Sequence, residues 1–170
     1  MNSKKNLVFL GMMGSGKSSI GYLVSKKLNL KFMDIDNLIE DAVGMDISSI
    51  FKKKGEAYFR ILEEKITLKT LKSTGSAVSL GGGGFINQKI RREILNNHFS
   101  FWLQWDETIL LKRIKNSNKR PLAFKSTQQE IKQLIRTRSK IYTKAEFKID
   151  CNKLTKKEIV KKIIKIYELN

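Results

Sequence analysis

The segment Gly11-Met-Met-Gly-Ser-Gly16-Lys17-Ser18 constrains this chain more than any other stretch of it. It matches GxxxxGK[ST] in full, directly after the apolar run Leu7–Leu10 and directly before a helical pattern that begins near Lys17. A strand that turns through glycines into a helix points backbone N–H groups inward at an anion, and the helix N-terminus adds partial positive charge. Lys17 is expected to reach the β- and γ-phosphates of a nucleotide and Ser18 to ligate Mg²⁺. The loop therefore implies nucleotide phosphates, and leaves open which group receives one.

The rest of the chain supplies the sheet that such a loop needs. Short apolar runs at Asn6–Leu10, Lys31–Asp34, Ala77–Leu80, Phe99–Gln104 and Phe147–Ile149 read as five strands. Amphipathic stretches at 17–28, 36–72, 87–97, 106–115, 126–144 and 155–169 alternate with them, the pattern of βαβ units and a parallel sheet. Runs that are apolar on both sides fit strands covered by helices on both faces. Thr155-x-x-Glu158 and Ser126-x-x-Gln129 read as capping boxes. In the last stretch Ile159, Val160, Ile163, Ile164 and Tyr167 share one face, opposite Lys156, Lys157, Lys161 and Lys165. With 170 residues, 41% of them apolar, and no linker or repeat, one domain over 1–170 is expected.

Composition removes several other chemistries. A lone cysteine, Cys151, excludes an intramolecular disulfide framework, and no Cys/His spacing suits zinc, so a cytoplasmic setting is expected. The lone histidine, His98, has no relay partners and is expected at the surface. The run Leu7–Met13 behind Lys4 and Lys5 is broken by Gly11 and lacks a small-residue cleavage site, so it reads as a strand and not a signal. No stretch is long enough to span a membrane. The formal charge of +18 invites acidic or phosphate-bearing partners, yet the charge is mostly lysine on solvated faces, so neither nucleic acid nor membrane is expected as a partner.

Three features sit where an acceptor would bind. Asp34 and Asp36 end the second strand, two apart, so in extended geometry both point to the carboxyl edge of the sheet, where open α/β sheets bind ligands. One suits Mg²⁺ through water and the other a hydroxyl proton, although Asp36 also suits an N-cap for a helix at Asn37–Val43. Gly81-Gly82-Gly83-Gly84 follows the third strand and either lets backbone approach a small ligand or serves as a hinge. Only seven of the 34 basic residues are arginine, so Arg60, Arg113, Arg120 and Arg138 are candidates for bidentate contacts with carboxylate or phosphate. The polar, aperiodic stretch 116–125 around Arg120-Pro121 resembles a lid.

Together these residues resemble shikimate kinase. The likeness runs from about Asn6 to about Tyr142, through the glycine loop, Asp34-Ile-Asp36, Gly55-Glu56-x-x-Phe59-Arg60-x-x-Glu63, Leu80-Gly81-Gly82-Gly83, Arg120-Pro121-Leu122 and Arg138-x-x-x-Tyr142. It implies a three-layer α/β fold of the nucleoside-monophosphate-kinase type, with a five-stranded parallel sheet in the order 2-3-1-4-5. It also implies a substrate-binding segment around 35–65, a lid around 114–126, a monomer, and ATP-dependent phosphorylation of the 3-hydroxyl of shikimate. By match, Asp36, Lys17 and Arg120 are catalytic. Gly14, Ser15, Gly16, Lys17, Ser18 and Ser19 hold the ATP phosphates with Arg120, and Arg113 lies near the adenine. Asp36, Arg60, Gly81, Gly82, Gly83 and Arg138 bind shikimate, and Ser18 and Asp34 serve Mg²⁺. Gly84 departs from the usual small side chain and is expected to loosen the loop. Another kinase of this fold, for gluconate or a nucleotide, is the nearest alternative. A basic ATP- or nucleic-acid-binding module is the more distant one.

Overall fold

The computed structural model describes residues 5–115 and 126–170. The expected lid, with Arg120, falls almost entirely outside them. In chain order the elements are β1 (Leu7–Leu10), α1 (Lys17–Leu28), β2 (Lys31–Asp34), α2 (Ile35–Val43), α3 (Ile47–Leu71) and β3 (Ser76–Ser79). A 3₁₀ turn at Gly84–Ile86 follows, then α4 (Gln88–Asn97), β4 (Phe99–Gln104), α5 (Glu107–Lys115), α6 (Gln128–Tyr142), β5 (Phe147–Asp150) and α7 (Lys156–Glu168). The five strands form one parallel sheet in the expected order, β2-β3-β1-β4-β5.

The period of two in β1 divides the core. Val8 and Leu10 face a cluster with Ile35, Ile39, Val78, Ile90 and Ile135, while Leu7 and Phe9 face another with Ile20, Val24, Phe101, Ile159 and Ile163. Helices α1 and α7 thus cover one face and α2 to α6 the other. Each fully buried Ile or Leu adds about 1.5–3 kcal/mol, so these two layers hold the sheet. The double-sided apolar expectation holds for β1 and β3, buried throughout. It fails at the borders: β2 has no fully buried residue, and β5 alternates between Ile149 inside and Lys148 and Asp150 exposed. Edge strands have a neighbour on one side only and keep solvated positions.

Three local readings need correction. The stretch 36–72 is two helices: Gly44 adopts a left-handed conformation (φ 69°) and closes α2 with its N–H on the Glu40 carbonyl, and Asp46 caps α3 by accepting the Ser49 N–H at 2.7 Å. Within α3, Gly55 (φ 83°, ψ 169°) interrupts the helical backbone. The capping box of α6 lies one residue later than Ser126-x-x-Gln129: Thr127 accepts from Glu130 N, and the Glu130 carboxylate accepts from Thr127 N at 2.6 Å. A charged Glu complements a helix N-terminus better than a neutral Gln. His98 is buried, not exposed: its Nδ1 accepts the Asn6 N–H, and Asn6 in turn ties Ser73 and Ser76 beneath the sheet. Burial, with Lys5 nearby, holds its imidazole below the ordinary range against the pull of Glu93. The box at Thr155 and Glu158 forms as expected, and the lysine stripe of α7 is exposed. Among the described residues no helix is long and apolar enough to cross a membrane.

Candidate active site

A cleft of about 840 Å³ opens at the carboxyl ends of β1, β2 and β3. One wall is the glycine loop and the first turn of α1. Gly16 (φ 88°) occupies the N-cap of α1 with no side chain capping it, which leaves that helix terminus to an external anion. Lys17 is nearly buried, and its Nζ donates to the Met12 carbonyl at 3.0 Å, so the ammonium is held over the loop. Gly14, Gly16, Lys17, Ser18 and Ser19 line the cleft. Ser15 does not: it is 1% exposed, behind the loop. The Ser18 hydroxyl lies 3.3 Å from that of Ser79, at the end of β3.

The opposite wall carries Asp36, Arg60, Gly81, Gly82, Gly83 and Arg138. Asp34 and Asp36 do not share extended geometry, because α2 begins at Ile35. Asp34 is its N-cap, accepting the N–H groups of Asp36 and Asn37 at Oδ1, so the capping role considered for Asp36 belongs to Asp34. Asp36 turns into the cleft. Burial chiefly, then the neighbouring Asp34 carboxylate, raises its carboxyl from 3.8 to about 6, with Lys17 opposing and Glu63 and Glu40 assisting.

Arg60 lies one turn past the interruption at Gly55, with every nitrogen engaged. Nη1 donates to Glu63 at 2.7 Å, and Nε and Nη2 donate to Glu56 at 3.2 and 3.0 Å. Burial alone would lower its pKa, but the two carboxylates outweigh that and raise it. Glu63 is almost wholly buried, and its Oε1 has no hydrogen-bond partner among the described residues. Arg138, on α6, reaches the cleft beside Gly82, with Nη1 4.0 Å from the Met12 sulfur. One turn later, Tyr142 donates its hydroxyl to the Gly82 carbonyl at 2.5 Å, and burial pushes that phenol up to about 12.

The glycine run fits between these side chains. A Cβ on Gly81 would stand 2.6 Å from Glu63 Oε1 and 2.7 Å from Asp36 Oδ1, and one on Gly83 would collide with the Arg60 guanidinium. On Gly84 it would meet nothing nearer than 3.6 Å, so that position has room for the small side chain expected there. The hinge reading finds no support, since Gly84 opens a 3₁₀ turn that leads directly into α4.

Residues 13–168 match the family model described as shikimate kinase. A shikimate kinase of Thermodesulfovibrio yellowstonii is 39% identical over 165 residues, covering 96% of this chain and 95% of its own. This chain belongs to the shikimate kinase family. It is thereby a kinase, an ATP-using phosphotransferase. Two solved structures agree: shikimate kinase from Aquifex aeolicus superposes with a TM-score of 0.86 at 35% identity, covering 96% of both chains. The Acinetobacter baumannii shikimate kinase, solved in complex with shikimate, gives 0.92 at 25% identity, covering 99% of this chain and 96% of its own.

For a shikimate kinase the cleft brings together most of the residues expected from the sequence. Arg113 does not line the cleft but stacks on Trp105, its guanidinium 3.8 Å from the ring centroid, and donates to the Gly14 carbonyl of the loop, while Arg120 lies outside the described residues. The structure adds Glu63 against Arg60, Ser79 against Ser18, Trp105 against Ser15 and Tyr142 against Gly82. Glu63 and Tyr142 carried a signal, standing three residues after Arg60 and four after Arg138, the helical spacings at which side chains meet. Ser79 and Trp105 carried none, since each meets the phosphate loop and its helix only through residues distant in sequence.

Proposed function

We propose that the cleft seats ATP with its phosphates over Gly14–Ser19 and shikimate against Asp36, Arg60, Gly81–Gly83 and Arg138, and transfers the terminal phosphoryl group to the 3-hydroxyl of shikimate. The observation that carries this reading is the placing of Asp36, raised to about 6, in the same cleft as Lys17 and an uncapped helix N-terminus. A carboxylate with that proton affinity is ionised at neutral pH and basic enough to take the hydroxyl proton as the oxygen attacks. Lys17 and the loop amides oppose the charge on the phosphoryl oxygens, which is most of what phosphoryl transfer asks of a protein.

Arg60 and Arg138 suit the substrate carboxylate, and their present partners indicate how it enters. The Glu56 pair is more than half exposed on the acid side and worth about 0–1 kcal/mol, whereas Glu63 is buried and its bond is harder to break. An arriving carboxylate therefore displaces Glu56 and leaves Glu63 to hold the guanidinium in place.

The oxygen donors fit Mg²⁺. The Ser18 hydroxyl, paired with Ser79 at the foot of the phosphate wall, is a hard ligand of the kind this ion takes, and Asp34, in register with Ser79 on the neighbouring strand, would serve through water. When bound, the ion neutralises phosphate charge. Arg120 is expected to add a second cation from the lid segment. The deciding experiment is a coupled ADP-release assay with shikimate, ATP and Mg²⁺ beside a no-acceptor control. Shikimate-dependent release is expected, and a folded protein that releases none would overturn the reading.

A further inference from the structure

A loop that binds an anion with its amides must keep its carbonyls turned away, because a carbonyl dipole aimed at phosphate repels it. Three carbonyls of this loop are held by named donors. Met12 O accepts Lys17 Nζ at 3.0 Å and the Ser15 N–H at 3.1 Å. Gly14 O accepts Arg113 Nη1 at 3.4 Å. Ser15 O accepts the indole Nε1–H of Trp105 at 2.9 Å, from 90 residues away.

The last bond has a directional consequence. In a planar trans peptide the C=O and the following N–H point in opposite directions. Anchoring the Ser15 carbonyl to the indole behind the loop therefore aims the Gly16 N–H the other way. The burial pattern agrees: Ser15 is 1% exposed, while Gly16 and Lys17 line the cleft. Gly16 itself, at φ 88°, has no side chain to resist a peptide rotation. The same indole carries the Arg113 guanidinium 3.8 Å above its ring, so two of the three anchored carbonyls depend on Trp105.

We infer that Trp105 is a positioning residue for the nucleotide, holding the Ser15–Gly16 peptide with its amide toward the phosphates and Arg113 against Gly14. The inference rests on the proposed seating of ATP over this loop. The hydrogen bond and ring contact of Trp105 are with Ser15 and Arg113 on the phosphate side, so its contribution is assigned to nucleotide affinity and not to shikimate affinity.

W105F tests it, since phenylalanine keeps an aromatic face for Arg113 while removing the N–H donor together with one ring of the indole. With each substrate varied in turn, KM for ATP should rise about tenfold, the scale of one lost positioned hydrogen bond, while KM for shikimate stays within about twofold. W105L, which also removes the stacking face, should raise the ATP value further. An unchanged ATP KM in W105F, or a parallel rise in both KM values, overturns the inference in favour of simple packing. Should W105F fail to fold, W102F, which retains Trp105 as the sole tryptophan, decides. Its emission should change on saturation with Mg-ADP, and unaltered emission sinks the inference. A wild-type enzyme inactive with shikimate would defeat the functional reading, whereas full wild-type turnover with a normal W105F defeats only the role of Trp105.

Discussion

Asp36 shows how a site residue opposes the stability of its own fold. Its folded carboxyl titrates near 6 against an ordinary 3.8, so the native state disfavours the charged form. The sign follows: stability is greatest below about pH 4, where the group is protonated in both states, and is lost as pH rises through about 6. The ionised acid costs on the order of 2–3 kcal/mol at most. D36N should therefore have no measurable turnover, bind nucleotide normally by calorimetry, and melt at higher temperature than wild type at pH 8, with the gain vanishing towards pH 4. Near-normal activity would remove Asp36 from the role of base. The glycines allow a second comparison at this scale. G84A should keep its shikimate kinetics within about twofold and lose no stability, since its Cβ meets only ordinary contacts and alanine restricts the unfolded chain. G83A, whose Cβ overlaps Arg60, should raise KM for shikimate by about tenfold or more. The glycine run was legible in the sequence as a place of close approach. That protein side chains press on Gly81 and Gly83, but not on Gly84, was not, because those side chains come from α2 and α3.

At the scale of elements, α6 ties together two parts of the cleft wall, Arg138 and the glycine run. Arg138 and Tyr142 stand one turn apart on its buried face, so the helix that brings the guanidinium also pins the Gly82 carbonyl. Y142F leaves that carbonyl without its phenol donor at a buried position, which should destabilise the protein by about 1–3 kcal/mol in denaturant melts. Steady-state assays should show KM for shikimate raised several-fold with KM for ATP unaltered. Equal shifts in both would mean that Tyr142 supports only the core. The division of 36–72 was readable in principle: Gly44 and Asp46 are a helix stop and a start two residues apart. The interruption at Gly55 was not, since an isolated glycine in a helical pattern is usually tolerated. Its effect is to separate the first turns of α3 from the segment that carries Phe59, Arg60 and Glu63.

At the scale of the molecule, the net charge of +18 is a stability term more than a functional one. Excess like charge on a compact surface repels itself and is screened over about 10 Å at 0.1 M salt. The melting temperature should rise as sodium chloride increases from about 0.02 to 0.3 M. Chloride is the right test because phosphate or sulfate would also occupy the loop. A flat or falling melting temperature would mean that the lysines are already balanced by local partners.

The order of elements, the parallel sheet, the phosphate loop and the candidate acceptor residues could all be read from the sequence, because each rests on spacing over a few residues and on backbone chemistry that local sequence dictates. Tertiary structure alone decided which of those residues meet. It buried His98 against Asn6, gave the α2 cap to Asp34 and turned Asp36 into the cleft, and brought Glu63, Ser79, Trp105 and Tyr142 to the site. These outcomes depend on contacts between distant segments, whose energies arise only when the two layers close on the sheet.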